Sequence, residues 1–261
     1  MKRSILLSSF FLVFTSLIVY NASGAPPRQY IELRVYHASD SVQVKTITSF
    51  LQSALVPALH KQGIRKVGVF TAIGNDTAAD KRVYVLIPYS SLKEIEGLAA
   101  KLEKDQQYQK EGSAYLNATY DKAPYKRYET ILLQSFELMP QVATSGVNGP
   151  RSERVYELRS YEGYTEKIYK NKVRMFNQGG EIDLFKRLGF NAVFYGEVLY
   201  GSRMPNLMYM TSFENKASRD EHWKAFGSDP TWKQLSSMPE YQKNVSKSEI
   251  IFLTPADFSD L

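Results

Sequence analysis

The order of apolar and polar positions predicts one series of secondary-structure elements that occurs twice along the chain. In the first series, alternating positions predict strands, apolar positions at helical spacing predict helices, and the motif Ser91-Leu-Lys-Glu94 is a capping box. The predicted elements are a strand at 30–36, a helix at 44–58, strands at 66–73 and 82–88, a helix from 91, and a strand at 128–138. This order, strand-helix-strand-strand-helix-strand, is typical of a ferredoxin-like unit.

The second half of the chain predicts the same order. Gly179-Gly180 interrupts its first helix, Ser218-Arg-Asp-Glu221 reads as a second capping box, and Asp229-Pro230 predicts an N-cap followed by a first-turn proline. The predicted elements are a strand at 154–161, a helix at 165–188, strands at 192–199 and 207–213, helices from 218 and 229, and a strand at 248–253. The polar stretch 140–152 lacks periodicity and is predicted to be a linker.

Residue identities repeat together with the pattern. Four short segments of the first half recur in the same order in the second half, at offsets of 124 to 126 residues. Four matches at nearly constant offset indicate an internal repeat. The pairs are 32–36 with 157–161, 59–64 with 185–190, 83–89 with 207–213, and 105–108 with 229–232. The chain is therefore predicted to contain two diverged copies of one unit.

These observations predict an α+β fold of two tandem ferredoxin-like (βαββαβ) units that form a dimeric α/β-barrel within one chain. The helices of such a unit cover one face of its sheet, and two units bury their open faces against each other. We place the units at 26–139 and 153–254, followed by a tail at 255–261. The chain is expected to be a monomer with an internal pseudo-dimer, or a homodimer.

Residues 1–25 have the layout of a secretory signal peptide. A basic start at Lys2-Arg3 precedes an apolar run from Ile5 to Tyr20, and small residues surround Gly24. We expect cleavage after Gly24, which removes the signal peptide 1–24 and exports the mature protein to a bacterial periplasm or the medium. The alternative is an uncleaved anchor, although the run is shorter than the roughly 20 residues of a comfortable membrane span. No stable membrane span is expected after cleavage.

The amino-acid composition excludes several classes of functional site. The 261 residues include no cysteine, which excludes disulfides, thiolate metal sites and cysteine nucleophiles. The formal charge is +6, but no block of five like charges occurs, so we expect no nucleic-acid partner. Common phosphate-binding, hydrolase and metalloprotease motifs are missing from the sequence.

Four segments of the second copy form a recognisable combination: Tyr156–Tyr161, Leu184–Phe190, Tyr209–Glu214 and Asp229–Trp232. Together they resemble the NIPSNAP family, and the resemblance extends more weakly over residues 28–138. It implies the dimeric α/β-barrel fold, a group that includes small monooxygenases and dismutases with ligands between sheet and helices. It implies no specific activity, because none is established for the family. Tyr108, Ala99 and Leu102 stand where the second copy has Trp232, Trp223 and Phe226, so the first copy is interpreted as a structural partner.

Candidate ligand-binding residues lie on the first strand of the second copy. Glu157, Arg159 and Tyr161 alternate and therefore share one face, and Glu32, Arg34 and Tyr36 match them in the first copy. We expect this polar face to line the barrel interior, with Tyr156, Leu158 and Ser160 against the helices. It would then form a pocket for a small anionic or oxygen-rich ligand. The alternative is a set of structural ion pairs between the two sheets.

His222 and Trp223 are further ligand-binding candidates on a predicted helix. A histidine near neutral pKa suits acid–base work, so His222, with Arg159 and Tyr195, is also a candidate catalytic residue. The alternatives are a partly exposed structural histidine and a core tryptophan. His37, His60 and His222 do not repeat between copies, so neither a metal nor a cofactor is expected.

The sequence leaves three functions open. The first is an exported binding or scaffold protein with a small-molecule pocket, and the second is a cofactor-independent enzyme of the monooxygenase or isomerase type. The third is an interaction module whose barrel interior would be dry and apolar. Whether the protein is an enzyme remains open from the sequence.

Overall fold

The computed structural model describes residues 26–261, so the expected signal peptide lies outside the described residues. The first unit contains β1 (Tyr30–Ala38), α1 (Ser41–Phe50), a π-helical turn (Leu51–Leu55), α2 (Val56–Lys61), β2 (Gly68–Ala72), β3 (Lys81–Tyr89), α3 (Leu92–Lys104), α4 (Gln106–Glu111), α5 (Ser113–Leu116), a 3₁₀ turn (Tyr120–Lys122) and β4 (Arg127–Ser135). The second unit contains a 3₁₀ turn (Arg151–Glu153), β5 (Val155–Glu162), α6 (Glu166–Asn177), α7 (Glu181–Arg187), β6 (Asn191–Tyr200), β7 (Asn206–Phe213), α8 (Lys216–Ser228), α9 (Pro230–Ser237), a 3₁₀ turn (Pro239–Tyr241) and β8 (Lys247–Pro255).

The strands close into one antiparallel barrel with the order β1-β3-β2-β8-β5-β7-β6-β4. Each unit supplies four neighbouring strands, in which the first strand of the unit pairs with its third and its fourth. The two sheets join at β2–β8 and at β4–β6. The prediction of two tandem ferredoxin-like units that close a barrel within one chain is confirmed.

Buried apolar residues form three clusters, one on the inner face of the closed sheet and two on its outer face. One cluster fills the barrel interior and includes Leu33, Leu86, Leu158 and Met210. The other two lie outside the barrel, between the sheet and the helices of the first and second units respectively. Both faces of β1, β3, β5 and β7 are therefore buried over much of their length.

The expected direction of the polar face was wrong. Tyr156 and Leu158 lie in the barrel interior, whereas Glu157 and Arg159 lie beneath the helices, where α8 provides their partners. Alternation assigns residues to two faces but does not say which face the helices cover, because both are buried here. The polar pocket expected inside the barrel at these residues is therefore not formed there.

Most predicted helix ends are confirmed. Ser91 and Asp229 cap α3 and α9, Pro230 occupies the first turn of α9, and Gly180, at φ +89°, separates α6 from α7. The capping box at Ser218 was wrong. The cap of α8 is Asn215, whose side chain accepts a bond from the Ser218 amide, so this helix begins three residues earlier than expected.

The segment after β8 packs along β2. The Val69 amide donates to Ser259 Oγ, and Asp260 accepts from the Val67 amide and contacts His60 Nε2 at 2.8 Å. Arg151 Nη1 donates to three carbonyls of this segment, including that of Leu261. The bonds of His60, Val67 and Val69 tie this segment to the first unit, and those of Arg151 tie it to the second.

Candidate functional site

Glu157 is the centre of a buried polar cluster on the helix side of the second unit. Its carboxylate accepts hydrogen bonds from Arg159 Nε at 2.6 Å, from Arg219 Nε at 2.6 Å and from Trp223 Nε1 at 2.8 Å. Burial alone would raise the pKa of Glu157, but these guanidinium groups outweigh it and hold the pKa below its usual range. Glu157 is therefore an ionised carboxylate that is fully occupied by this protein's own donors.

Arg159 connects Glu157 to a pair of tyrosines. Its guanidinium stacks on Trp223, 3.7 Å from the centre of the indole, and its Nη1 donates to Tyr161 Oη at 2.9 Å. The Tyr161 and Tyr209 hydroxyls lie 2.9 Å apart, and burial raises the pKa of Tyr209 well above its usual value. The Tyr209 hydroxyl is therefore neutral, and the two hydroxyls extend the polar chain away from Glu157.

A second buried ion pair follows on α6 and α7. Lys172 Nζ lies 2.7 Å from Glu181 Oε2, and the two side chains are 8% and 3% exposed. Burial raises the pKa of Glu181, although the charges of Lys172 and Arg159 act in the opposite direction. The Lys172 ammonium lies 5.7 Å from the centre of the Tyr161 ring, which places it next to the polar cluster.

A cleft of about 440 Å³ reaches Lys172 from the surface. It lies between α6, α9 and the segment 241–245, and Trp232 forms another part of its wall. The Lys172 ammonium is 5.7 Å from the centre of the Trp232 ring and 4.7 Å from that of Phe176. The cleft thus combines aromatic walls with one buried cation, a composition typical of small-molecule sites.

The first unit repeats only part of this arrangement. Arg34 Nη2 lies 2.7 Å from Glu32, and Tyr89 donates to the same carboxylate at 2.9 Å. At the repeat offsets of 124 to 125 residues, however, Arg219, Tyr209 and Lys172 are replaced by apolar residues that pack in the core of the first unit: Ile95, Val85 and Ile47. The added cations and the added hydroxyl are specific to the second unit.

The structure joins some predicted site residues and separates others. Glu157, Arg159, Tyr161 and Trp223 contact one another as described. His222 instead lies against Phe190 and Phe213, and its Nδ1 lies 2.7 Å from the carbonyl of Ser218 in its own helix. Tyr195 stacks on Tyr209 in the aromatic core and lines a different cavity, of about 330 Å³. The three catalytic candidates do not converge on one point.

Several residues of this site were missed by sequence reasoning. The sequence predicts Arg219 only as part of a capping box, and it gives no prediction for the pair Lys172 and Glu181. A signal was present for Lys172, since it shares a helix face with Tyr169, Val173 and Phe176, where an apolar residue is expected. A charged residue at such a position requires a buried partner.

Two further observations bear on the chemistry. Within residues 26–261, no group of three or more His, Asp or Glu side chains is arranged to hold a metal ion. Among the described helices, none has both the length and the apolar character needed to span a bilayer.

Comparison with known proteins relates the second unit to a known family. Residues 156–260 match the family model of NIPSNAP. The human protein NipSnap homolog 3A is 30% identical over 130 residues, which are 48% of this chain and 51% of the relative, as is its counterpart from Pongo abelii. The chain thus spans about half the length of the curated relatives it matches. The resemblance predicted from the sequence is confirmed for this domain.

Solved structures share the fold of both units together. A monooxygenase-like protein of Lactobacillus acidophilus superposes with a TM-score of 0.58 at 10% identity, over 87% of this chain and 94% of that one. A monooxygenase-like protein of Fusobacterium nucleatum gives 0.57 at 9% identity, over 88% and 93%. At these identities the likeness shows the fold alone.

Proposed function

We propose that this protein binds a small anionic or oxygen-rich molecule in the cleft of its second unit, beside Lys172. One observation carries the proposal: the Lys172 ammonium, 8% exposed, forms part of the wall of an open cleft beside Trp232. The other two buried cations near it, Arg159 and Arg219, are both engaged by Glu157. A buried cation that retains a donor at the wall of a cleft favours an anionic or oxygen-rich ligand.

Lys172 is the cation best placed to meet a ligand. An ammonium has three N–H donors, and here two point to Glu181 Oε2 at 2.7 Å and Met175 Sδ at 3.3 Å. The third remains for a ligand in the cleft. Arg219, in contrast, is occupied by Glu157 and by Asp220, which lies 2.9 Å from its Nη1. The ligand's charge is therefore expected at Lys172 and its apolar part against Trp232.

The structure gives the enzymatic alternative less support. His222 was the expected proton acceptor, but it lies apart from the cluster and from the cleft. The Tyr161 and Tyr209 hydroxyls are bonded to each other, and Glu157 accepts bonds from three residues. A non-catalytic binding role requires only charge, shape and an opening, and the cleft provides all three.

A thermal-shift titration with benzoate, matched with benzyl alcohol, tests the proposal. We expect benzoate to raise the melting temperature more than the alcohol. The double variant Lys172→Met/Glu181→Leu removes the pair together, so no charge is left buried alone, and it should lose the benzoate response. Lys45→Met, at an exposed lysine of α1, is the control and should keep it. A benzoate response that survives in the double variant would refute the assignment.

We further propose that the protein acts outside the cytoplasm, as the signal-peptide pattern of residues 1–24 suggests. Mass spectrometry of the mature protein should find an N-terminus at Ala25. Intact peptides containing Lys2 in the exported fraction would contradict this proposal.

A further inference from the structure

A second cavity opens at one end of the barrel, on the opposite face of the sheet from the cleft. Its volume is about 370 Å³, within the range typical of small-molecule sites. Inward-facing side chains from both units form its floor: Leu33, Val35, Ile131, Leu158, Met208 and Ile251. We call this end of the barrel, with its rim at His37, Arg82, Glu129, Arg203 and Glu249, the barrel mouth.

The guanidinium groups of the rim already have carboxylate partners. Arg82 Nε lies 2.8 Å from Asp80, and Arg203 contacts Glu249. Glu129 has no such partner among the described residues. Its contacts are His37 Nε2 at 3.1 Å and the Ser202 hydroxyl at 3.5 Å, and its side chain is 50% exposed. Glu129 is therefore the rim carboxylate most available to a ligand.

Two buried oxygen atoms on the same inward face also lack donors. Glu162 Oε1 and Asn206 Oδ1 have no hydrogen-bond partner in the part of the chain that the structure describes. Glu162 and Asn206 are paired across β5 and β7, and Asn206 is two residues from Met208 on the cavity floor. Arg203 approaches Glu162 only to 3.8 Å. Neither residue lines the cavity, so these acceptors add to the negative character of this end of the barrel without contacting a ligand directly.

We propose that the barrel mouth binds a small organic cation, with its apolar chain inside the barrel and a protonated amine at Glu129. An ammonium supplies three donors and one positive charge, which complements a rim whose arginines are already paired. Arg127 and Lys247 also stand at this end, but both are exposed, so solvent and salt screen their charges. The site is independent of the cleft, which prefers the opposite charge.

Methionine-methyl NMR of the full chain, titrated with hexylamine, hexanol and hexanoate, tests this assignment. The three probes share one apolar chain and differ only in the head group. We expect hexylamine to shift the Met208 methyl signal with the lowest dissociation constant, hexanol to bind more weakly, and hexanoate to bind most weakly.

Two variants and one control locate the interaction. Glu129→Gln should weaken hexylamine about three- to fivefold, as expected for a half-exposed charge pair, and leave hexanol unchanged. Ile251→Phe fills the cavity from a partly exposed floor position, so it should abolish the binding of hexylamine and of hexanol. Glu103→Gln, at an exposed residue of α3, should change neither. The proposal fails if hexanoate binds as tightly as hexylamine, if Glu129→Gln has no effect, or if Met208 does not respond.

Discussion

The two units carry the same Glu-x-Arg-x-Tyr strand motif in different surroundings. In the first unit Glu32 pairs with Arg34 and accepts a bond from Tyr89, and the helix residues packed in the core of this unit are apolar. In the second unit Glu157 pairs with two arginines, and a further ion pair is buried nearby. The strand motif is therefore common to both units, and the helices determine which further charged groups surround it.

Removing the central carboxylate gives the largest expected difference between the units. Glu157→Gln leaves Arg159 buried without a carboxylate partner and leaves Arg219 only the exposed Asp220, so unfolding in urea should show a loss of about 3–5 kcal/mol. Glu32→Gln affects one arginine that is 21% exposed, and its loss should be nearer 1–2 kcal/mol. Equal losses would show that Arg219 adds nothing to the role of Glu157.

Making the second unit resemble the first is expected to have a smaller effect. In Lys172→Met/Glu181→Leu, apolar side chains replace a buried ion pair, as Ile47 already does in the first unit. The free energy of unfolding should stay unchanged or rise by about 1–4 kcal/mol, because desolvation of the pair is no longer needed. Glu181→Leu alone should destabilise the protein, since the ammonium is then buried without its partner. A strongly destabilised double variant would show that the pair is structural.

The pH dependence of stability should distinguish Glu157 from Glu181 within the second unit. The depressed pKa of Glu157 means that its contribution to stability is present above the unfolded value, about 4.3, and is lost as pH falls below it. The pKa of Glu181 is raised, so its effect on stability has the opposite pH dependence. The contribution of Glu181 to stability is present below the unfolded pKa and is lost as pH rises through the folded pKa. Urea unfolding of Glu157→Gln and Glu181→Gln from pH 3 to 7 should give difference curves of opposite slope. Parallel curves would contradict these directions.

Much of the fold was predictable because it depends on local patterns. Strand alternation, helical spacing and the caps at Ser91 and Asp229 identified the elements, and the repeat identified the two units. The facing of β5 was not predictable from alternation, since the barrel interior and the helix-covered face are both buried. Residues 157, 159, 161 and 223 contact one another, but the sequence places the three strand residues on the wrong face and groups His222 with them. Arg219 and Lys172 come from helices whose rotation depends on tertiary packing.

Tryptophan fluorescence tests the central claim, that the cleft of the second unit is the ligand site, most directly. The chain has two tryptophans, and only Trp232 lines the cleft, so Trp223→Phe isolates its signal. Titration of this variant with benzoate should give a saturable fluorescence change, and adding Lys172→Met/Glu181→Leu should abolish it. A benzoate thermal shift without any response from Trp232, or a response unaffected by loss of Lys172, would contradict the account.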